Sequence, residues 1–153
     1  DTHVLFEKAV ATTLRAQLRK QHPDVSLHTQ VPDRGLARSV QSGRMVVGLR
    51  PDLVLERDGS VEVVADTKWK QVEFVHGEPR PSHTDVHQML AYAAAYECER
   101  LVLLYPKPYT AVPAGPVVLE LPSLGILQPT LELVWLDVGH DALALCNKSA
   151  WLS

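Results

Sequence analysis

Arg50-Pro51-Asp52-Leu53-Val54-Leu55-Glu56-Arg57-Asp58-Gly59-Ser60-Val61-Glu62-Val63-Val64-Ala65-Asp66-Thr67-Lys68 is the stretch from which the fold is read. Two β-rich runs, Leu53-Val54-Leu55 and 61–65, lie on either side of Asp58-Gly59. Alternating apolar runs around Asp-Gly are the strongest short-range signal for an antiparallel hairpin. The first arm opens on Asp52, and the second ends on Asp66-Thr67-Lys68, fourteen residues further on. Such a hairpin gathers two carboxylates and an ammonium at one end.

That set suits a particular chemistry. Mg²⁺ is a hard ion that takes oxygen ligands, keeps several waters and needs only one or two protein carboxylates. It polarises a phosphoryl oxygen and lowers the pKa of a bound water. A lysine two residues beyond the second acid points to the same sheet face, because strand side chains alternate. Its charge can orient the attacking water or offset charge growing on a phosphate.

Residue parity sharpens the expectation. Val61, Val63, Ala65, Thr67 and Trp69 form one face of the second arm, and Glu62, Val64, Asp66, Lys68 and Lys70 form the other. The first face reads as core and the second as the charged one. A tight two-residue turn at Asp58-Gly59 would set Asp66 opposite Pro51, with Asp52 pointing away. A three-residue loop with Gly59 left-handed, or a bulge in one strand, restores the match. An odd loop or a bulge is therefore expected.

The remaining composition sets bounds. The chain has 153 residues, of which 46% are hydrophobic, enough for one domain with a substantial core. It opens at Asp1 directly into a helical pattern, which reads as a single domain, 1–153, excised from a longer chain. No membrane-length apolar run or signal peptide is visible. Cys98 and Cys146 offer neither zinc spacing nor a disulfide framework, so a reducing cytoplasm is the expected setting. Net charge is −3, but residues 1–50 carry 8 Lys/Arg against 4 Asp/Glu. The positive excess precedes the acidic stretch, where phosphate-contacting surface beside a metal centre would sit.

Along the chain, residues 4–20 read as a helix with Phe6, Val10, Leu14 and Leu18 recurring every fourth position. Glu7 borders this stripe, either as an ordinary boundary glutamate or as a third acid aimed at the metal. Residues 24–31 read as a strand stopped by Pro32. Residues 32–44 read as a flexible loop whose Arg34, Arg38 and Arg44 are candidate DNA-backbone contacts. Residues 45–56 and 61–70 form the site hairpin, and 73–82 form another loop. A second helix is expected over 84–98, capped by Ser82 or Thr84. Val86, Leu90 and Ala93 would be its core stripe, with Asp85, Gln88 and Tyr92 its polar face. His83 and His87 are read as surface residues. Strands follow at 101–105, 117–121 and 131–137, and 142–145 is expected to pair or cap. The order implies an α/β fold, a mixed central β-sheet flanked by helices.

Arg50-Pro51-Asp52, Asp66-Thr67-Lys68 and the elements around them resemble the PD-(D/E)XK nuclease superfamily. The resemblance is closer to one branch, the McrC-like nuclease subunit of modified-cytosine (McrBC-type) restriction systems. It is carried by Leu5-Phe6-Glu7, 51–55, Val64 to Lys70, 85–93 and Leu103-Leu104-Tyr105-Pro106, in the expected order. It implies a restriction-endonuclease-like fold and a C-terminal nuclease domain. It also implies an Mg²⁺-dependent DNA endonuclease, with Mn²⁺ substituting, that acts with an McrB-like AAA+ GTPase partner.

Carried over, Asp52 and Asp66 would bind the metal with the Thr67 carbonyl, and Lys68 would be the catalytic lysine. Gln88 would fix a water or phosphate, and Glu7 would be an auxiliary acid. Lys70 and Tyr92 join the arginines as candidate DNA contacts. Two other readings compete: a different PD-(D/E)XK nuclease of DNA repair or phage defence, and a non-catalytic DNA-binding or assembly module on the same scaffold. Intact Asp52, Asp66 and Lys68 argue against the second.

Overall fold

A computed structural model describes residues 1–138 and 143–149. Helix α1 (Thr2–Gln21) is followed by β1 (Val25–Thr29), β2 (Arg34–Arg38), β3 (Met45–Leu49), β4 (Leu53–Arg57) and β5 (Ser60–Thr67). Then come β6 (Glu73–Val75), β7 (Glu78–Arg80), α2 (His83–Tyr96), β8 (Arg100–Pro106), β9 (Val117–Glu120), β10 (Thr130–Val138) and β11 (Leu143–Leu145).

The central sheet has seven strands in the order β1-β4-β5-β8-β10-β11, with β9 also on β10. It is mixed. The β1–β4 and β4–β5 pairs are antiparallel, while β5–β8 and β8–β10 are parallel. Parallel pairing requires a crossover, and α2 supplies the one between β5 and β8.

Each face of the sheet is covered by one helix, which makes the architecture the expected α/β arrangement. On one side Phe6, Val10, Leu14 and Leu18 of α1 meet Leu53, Leu55, Val63, Ala65, Val102 and Leu104. On the other, Met89, Tyr92, Ala93 and Tyr96 of α2 meet Val54, Val64, Leu101, Leu103, Tyr105 and Trp135. The stripe expected on α1 is the buried one. The stripe expected on α2 is corrected: Asp85, Met89, Tyr92, Ala93 and Tyr96 are buried, while Val86 and Leu90 are only partly so. Two of the polar residues face inward because they have partners there.

Two stretches read as loops are hairpins. Residues within 32–44 contribute β2, which pairs with β3 in a separate two-stranded sheet, so β3 is not part of the site hairpin. Within 73–82, β6 pairs with β7 around His76-Gly77, both at positive φ. Ser82 caps α2, its hydroxyl accepting from the Asp85 amide. The expected pairing within 142–145 is seen over Leu143–Leu145, which lines up with Leu136–Val138; Ala142 lies outside the described residues.

The outer edge of β10 is shared. β9 pairs with Thr130 to Leu133 and β11 with Leu136 to Val138, leaving a gap between them. Buried Asn147 fills it. Its Oδ1 accepts from the Trp135 amide and its Nδ2 donates to the Leu133 carbonyl, both at 3.0 Å. Replacing Asn147 with leucine leaves both backbone groups without that partner. The expected loss is about 2–4 kcal/mol of unfolding free energy, read by urea denaturation. An unchanged midpoint would show that another group repairs the edge.

Candidate active site

The geometry of the hairpin decides where the acids fall. Asp58 and Gly59 both have positive φ, 52° and 77°, which makes a tight two-residue turn of the primed type. Arg57 pairs with Ser60 and Glu56 with Val61, but Leu55 pairs with Val63. Glu62 is thus an extra residue, a bulge in β5, held by the Arg57 guanidinium at 2.9 Å. Beyond it the register continues to Leu53 opposite Ala65, which sets Asp52 against Asp66. Of the two expected devices, the bulge is the one used. It also corrects the parity reading, because Val61 turns to the α2 side and Val64 is buried in the core there.

The acids are tied to each other's backbone. The Asp52 amide donates to Asp66 Oδ1 at 2.9 Å, and the Thr67 amide and hydroxyl both donate to Asp52 Oδ2 at 2.9 Å. The two carboxylates lean to different sides. Asp52 meets Thr67 and Glu7, whereas Asp66 Oδ2 meets the Tyr92 hydroxyl at 3.2 Å and Lys68 Nζ at 3.5 Å. Burial, then the charge of Asp52, raises the Asp66 pKa from 3.8 to about 6. The Asp52 amide, Lys68 and the Tyr92 hydroxyl limit that rise.

Lys68 lies beneath α2. Its ammonium is 2.7 Å from Gln88 Oε1 and 3.4 Å from Asp85 Oδ1, and its side chain is only 18% exposed. Gln88 Nε2 in turn donates to the Tyr92 hydroxyl at 2.9 Å. Asp85, Gln88 and Tyr92, three, four and seven positions apart, therefore form one ladder along the inner face of the helix. Lys70 Nζ closes it, 2.5 Å from Asp85 Oδ2. Burial alone would push Asp85 up, but the Lys70 hydrogen bond and the two lysine charges outweigh it and hold its carboxyl below the ordinary value.

Tyr92, expected as a DNA contact, instead lies inside against Gln88 and Asp66. It is buried, and desolvation together with the Asp66 charge keeps its phenol far above the usual range, so it stays a neutral hydrogen-bonding group. The arginines of the β2–β3 hairpin have other partners than the acids. Arg34 sits 4.0 Å over the Tyr96 ring, Arg38 donates to the Gly43 carbonyl, and Arg44 is exposed. His83 and His87 are exposed, as expected.

Glu7 faces Asp52. Burial, then the Asp52 charge and a hydrogen bond with it, raises the Glu7 pKa. Among the described residues, His3, Glu7 and Asp52 form a metal-competent grouping, their ligand atoms within 4.8 Å of one another. His3 was not singled out from the sequence. Its only signal is the four-residue spacing to Glu7 at the start of α1, which places both on one helix face. The Thr67 groups that touch Asp52 are its amide and hydroxyl.

A mixed sheet flanked by two helices, with acids and a lysine at the end of its central strands, defines a restriction-endonuclease-like α/β protein. The comparison with family models gives the particular family. Residues 1–106 match the McrBC 5-methylcytosine restriction system component. The chain belongs to that family.

Among solved structures, it is similar to a chain of the Thermococcus gammatolerans half-complex of McrB AAA+ hexamers with bound McrC. The TM-score is 0.57 at 18% identity, over 88% of this chain and 28% of that one. The chain thus spans little more than a quarter of the length of the protein it matches. No curated protein matches. Among the described residues, no helix is long and apolar enough to cross a membrane.

Proposed function

We propose that this chain is the DNA-cleaving module of an McrC-type subunit and hydrolyses a phosphodiester with Mg²⁺, for which Mn²⁺ substitutes. The observation that carries this reading is the bulge-set register: it sets Asp52 opposite Asp66, with Lys68 3.5 Å from the Asp66 carboxylate and the Asp52 carboxylate turned toward Thr67 and Glu7. The donor set fits the ion, because Asp52 and Asp66 offer hard oxygens and their mutual repulsion is relieved by a cation. Asp52 and Asp66 would hold it, with Glu7 next to Asp52 and the Thr67 carbonyl as a further oxygen. Bound there, the ion supplies Lewis-acid polarisation of the phosphate and an acidified water. Lys68, oriented by Gln88, places a positive charge where the scissile phosphate gains negative charge. Tyr92 holds both Gln88 and Asp66 in place.

In the full-length protein this module would work with an McrB-like AAA+ GTPase, consistent with the McrB hexamers that hold McrC in the Thermococcus complex. The β2–β3 arginines and Lys70 offer positive charge to the DNA backbone. The test is plasmid cleavage by the complete complex with and without GTP and Mg²⁺, on methylated and unmethylated DNA. Metal-dependent cleavage supports the reading; DNA binding without nicking overturns it.

A simpler measurement checks the cation. Mg²⁺ or Mn²⁺ at about a hundred times its dissociation constant adds about 2.7 kcal/mol of stability, seen as a higher Tm. The double change Asp52→Asn with Asp66→Asn abolishes that gain. A Tm that rises equally in the double variant would place the ion elsewhere.

A further inference from the structure

Strands β5 and β8 run parallel, with Thr67 opposite Leu104, so the chain leaves both at the same end of the sheet. That end also carries Asp66 and Lys68. Residues 69–71 and 106–109 therefore emerge side by side, and the Tyr109 amide donates to Gln71 Oε1 at 3.1 Å. Between them lies a cleft of about 300 Å³ lined by Trp69, Lys70, Gln71, Lys107 and Tyr109. Large aromatic rings are mostly buried in folded proteins, yet Trp69 is 45% exposed here and Tyr109 93%. A tilted contact with Phe6, ring centres 5.2 Å apart, holds the Trp69 indole in place.

A second cleft, of about 380 Å³, meets the first at Lys70 and Gln71. Arg80, Ser82, His83 and Tyr105 line it at the N-terminus of α2, where the helix dipole favours an anion. Tyr105 is fully buried, and its hydroxyl has no hydrogen-bond partner among the described residues. Burial, then the Asp85 charge, raises the pKa of that phenol, so it remains a donor. A buried donor left unpaired is costly, and an acceptor seated in the cleft would satisfy it. The two linings hold Lys70, Arg80 and Lys107 against a single carboxylate, Glu73. Lys70 also pairs with Asp85, and Lys107 lies 3.8 Å from Asp137, an exposed pair that a phosphate can replace at small cost.

Aromatic faces beside a positively charged groove suit bases and phosphates together. Paired bases inside a duplex are stacked on one another and cannot lie on such rings, whereas those of an unpaired strand can. We propose that the groove along Lys70 and Gln71 binds an unpaired stretch of a DNA strand, its bases on Trp69 and Tyr109 and its phosphates on Lys107, Lys70 and Arg80. The substrate is then opened locally beside the acids instead of being held as intact duplex. The inference rests on the nuclease reading only for the use made of that strand; binding is separate from it.

The experiment uses the full-length protein in chelator, so that no strand is cut, with single strands of about ten nucleotides, within the usual span of such sites. Each carries 5-iodouracil, which cross-links to a stacked ring on illumination. Peptide mapping is expected to find the cross-link on Trp69 or Tyr109 with the single strand, and on neither with the matching duplex. Tyr109→Ala should weaken single-strand binding about 5- to 150-fold, the cost of removing one stacking ring. Lys107→Gln should flatten the slope of log K against log salt by about 0.7, the loss of one phosphate contact on a single strand. Circular dichroism confirms that each variant is folded. Cross-links confined to other residues, or a Tyr109→Ala protein that binds the single strand as the parent does, overturn the proposal. Cross-linking at these rings without any metal-dependent cleavage would leave the groove standing and sink the nuclease reading; cleavage without such cross-links would do the reverse.

Discussion

Lys68→Ala is expected to lower DNA cleavage by about 10²–10³-fold, the usual effect of removing a group aimed at developing charge, while the fold persists. The ammonium is 2.7 Å from Gln88 and within 3.5 Å of both Asp66 and Asp85, largely shielded from water. Charges in such surroundings act more strongly than in bulk solvent. The fold should survive because Lys70 still pairs with Asp85, and the neighbouring core residues Val64 and Ala65 are untouched. Trp69, the next residue, stays anchored against the Phe6 ring at 5.2 Å. Cleavage at the parent rate, with circular dichroism unchanged, would eliminate Lys68 from the chemistry.

The second large effect concerns Asp66 in the metal-free protein. Its pKa is about 6 in the fold against an ordinary 3.8. The native state therefore holds this proton more tightly than the unfolded chain does. Between about pH 4 and pH 6, native Asp66 is protonated while unfolded Asp66 is ionised, so stability falls as pH rises. The stabilisation is fully present below pH 4 and gone above about pH 6. For a side chain this buried it amounts to about 3 kcal/mol across the window.

Glu7, also raised, adds a contribution of the same sign. Urea unfolding from pH 4 to pH 7 in chelator measures the slope, and Asp66→Asn should flatten most of it. Saturating Mg²⁺ should reverse it, because a cation competes with the proton and favours the ionised site. An Asp66→Asn protein with the parent's slope would place the responsible proton elsewhere.

Much of this arrangement could be read from residues alone, because two periodicities are unambiguous. The four-residue recurrence of Phe6, Val10, Leu14 and Leu18 admits only a helix with one buried face. The runs flanking Asp58-Gly59 admit only a hairpin. The location of the mismatch was harder to read. Asp-Gly turns are strongly two-residue, yet the acids were expected to share a face, so an odd loop or a bulge was implied without an address. Glu62 looks like any outward strand glutamate until Arg57 is found holding it.

The second helix was misread for a related reason. Asp85 and Tyr92 are polar, so they were read as a polar face apart from the core stripe; Lys70, Lys68 and Asp66 satisfy them inside. The β2–β3 and β6–β7 hairpins were hidden by glycine, proline and arginine, although His76-Gly77 carries a turn signal of its own. His3 was missed because a histidine near a helix start has many ordinary uses, and only its distance to Asp52 across the fold distinguishes it.

The reciprocal amide bonds between Asp52 and the Asp66-Thr67 pair have one more consequence. Spacing between the acids is inherited from the separation of adjacent strands, not from any loop that must close around a substrate. The pairing of the two acids should thus be set as soon as β4 and β5 zip together, with Lys68 fixed once α2 brings Gln88 and Asp85 over it. Under the proposed function, control over when such a centre acts would come from delivery of the nucleic acid rather than from bringing the two acidic strands together.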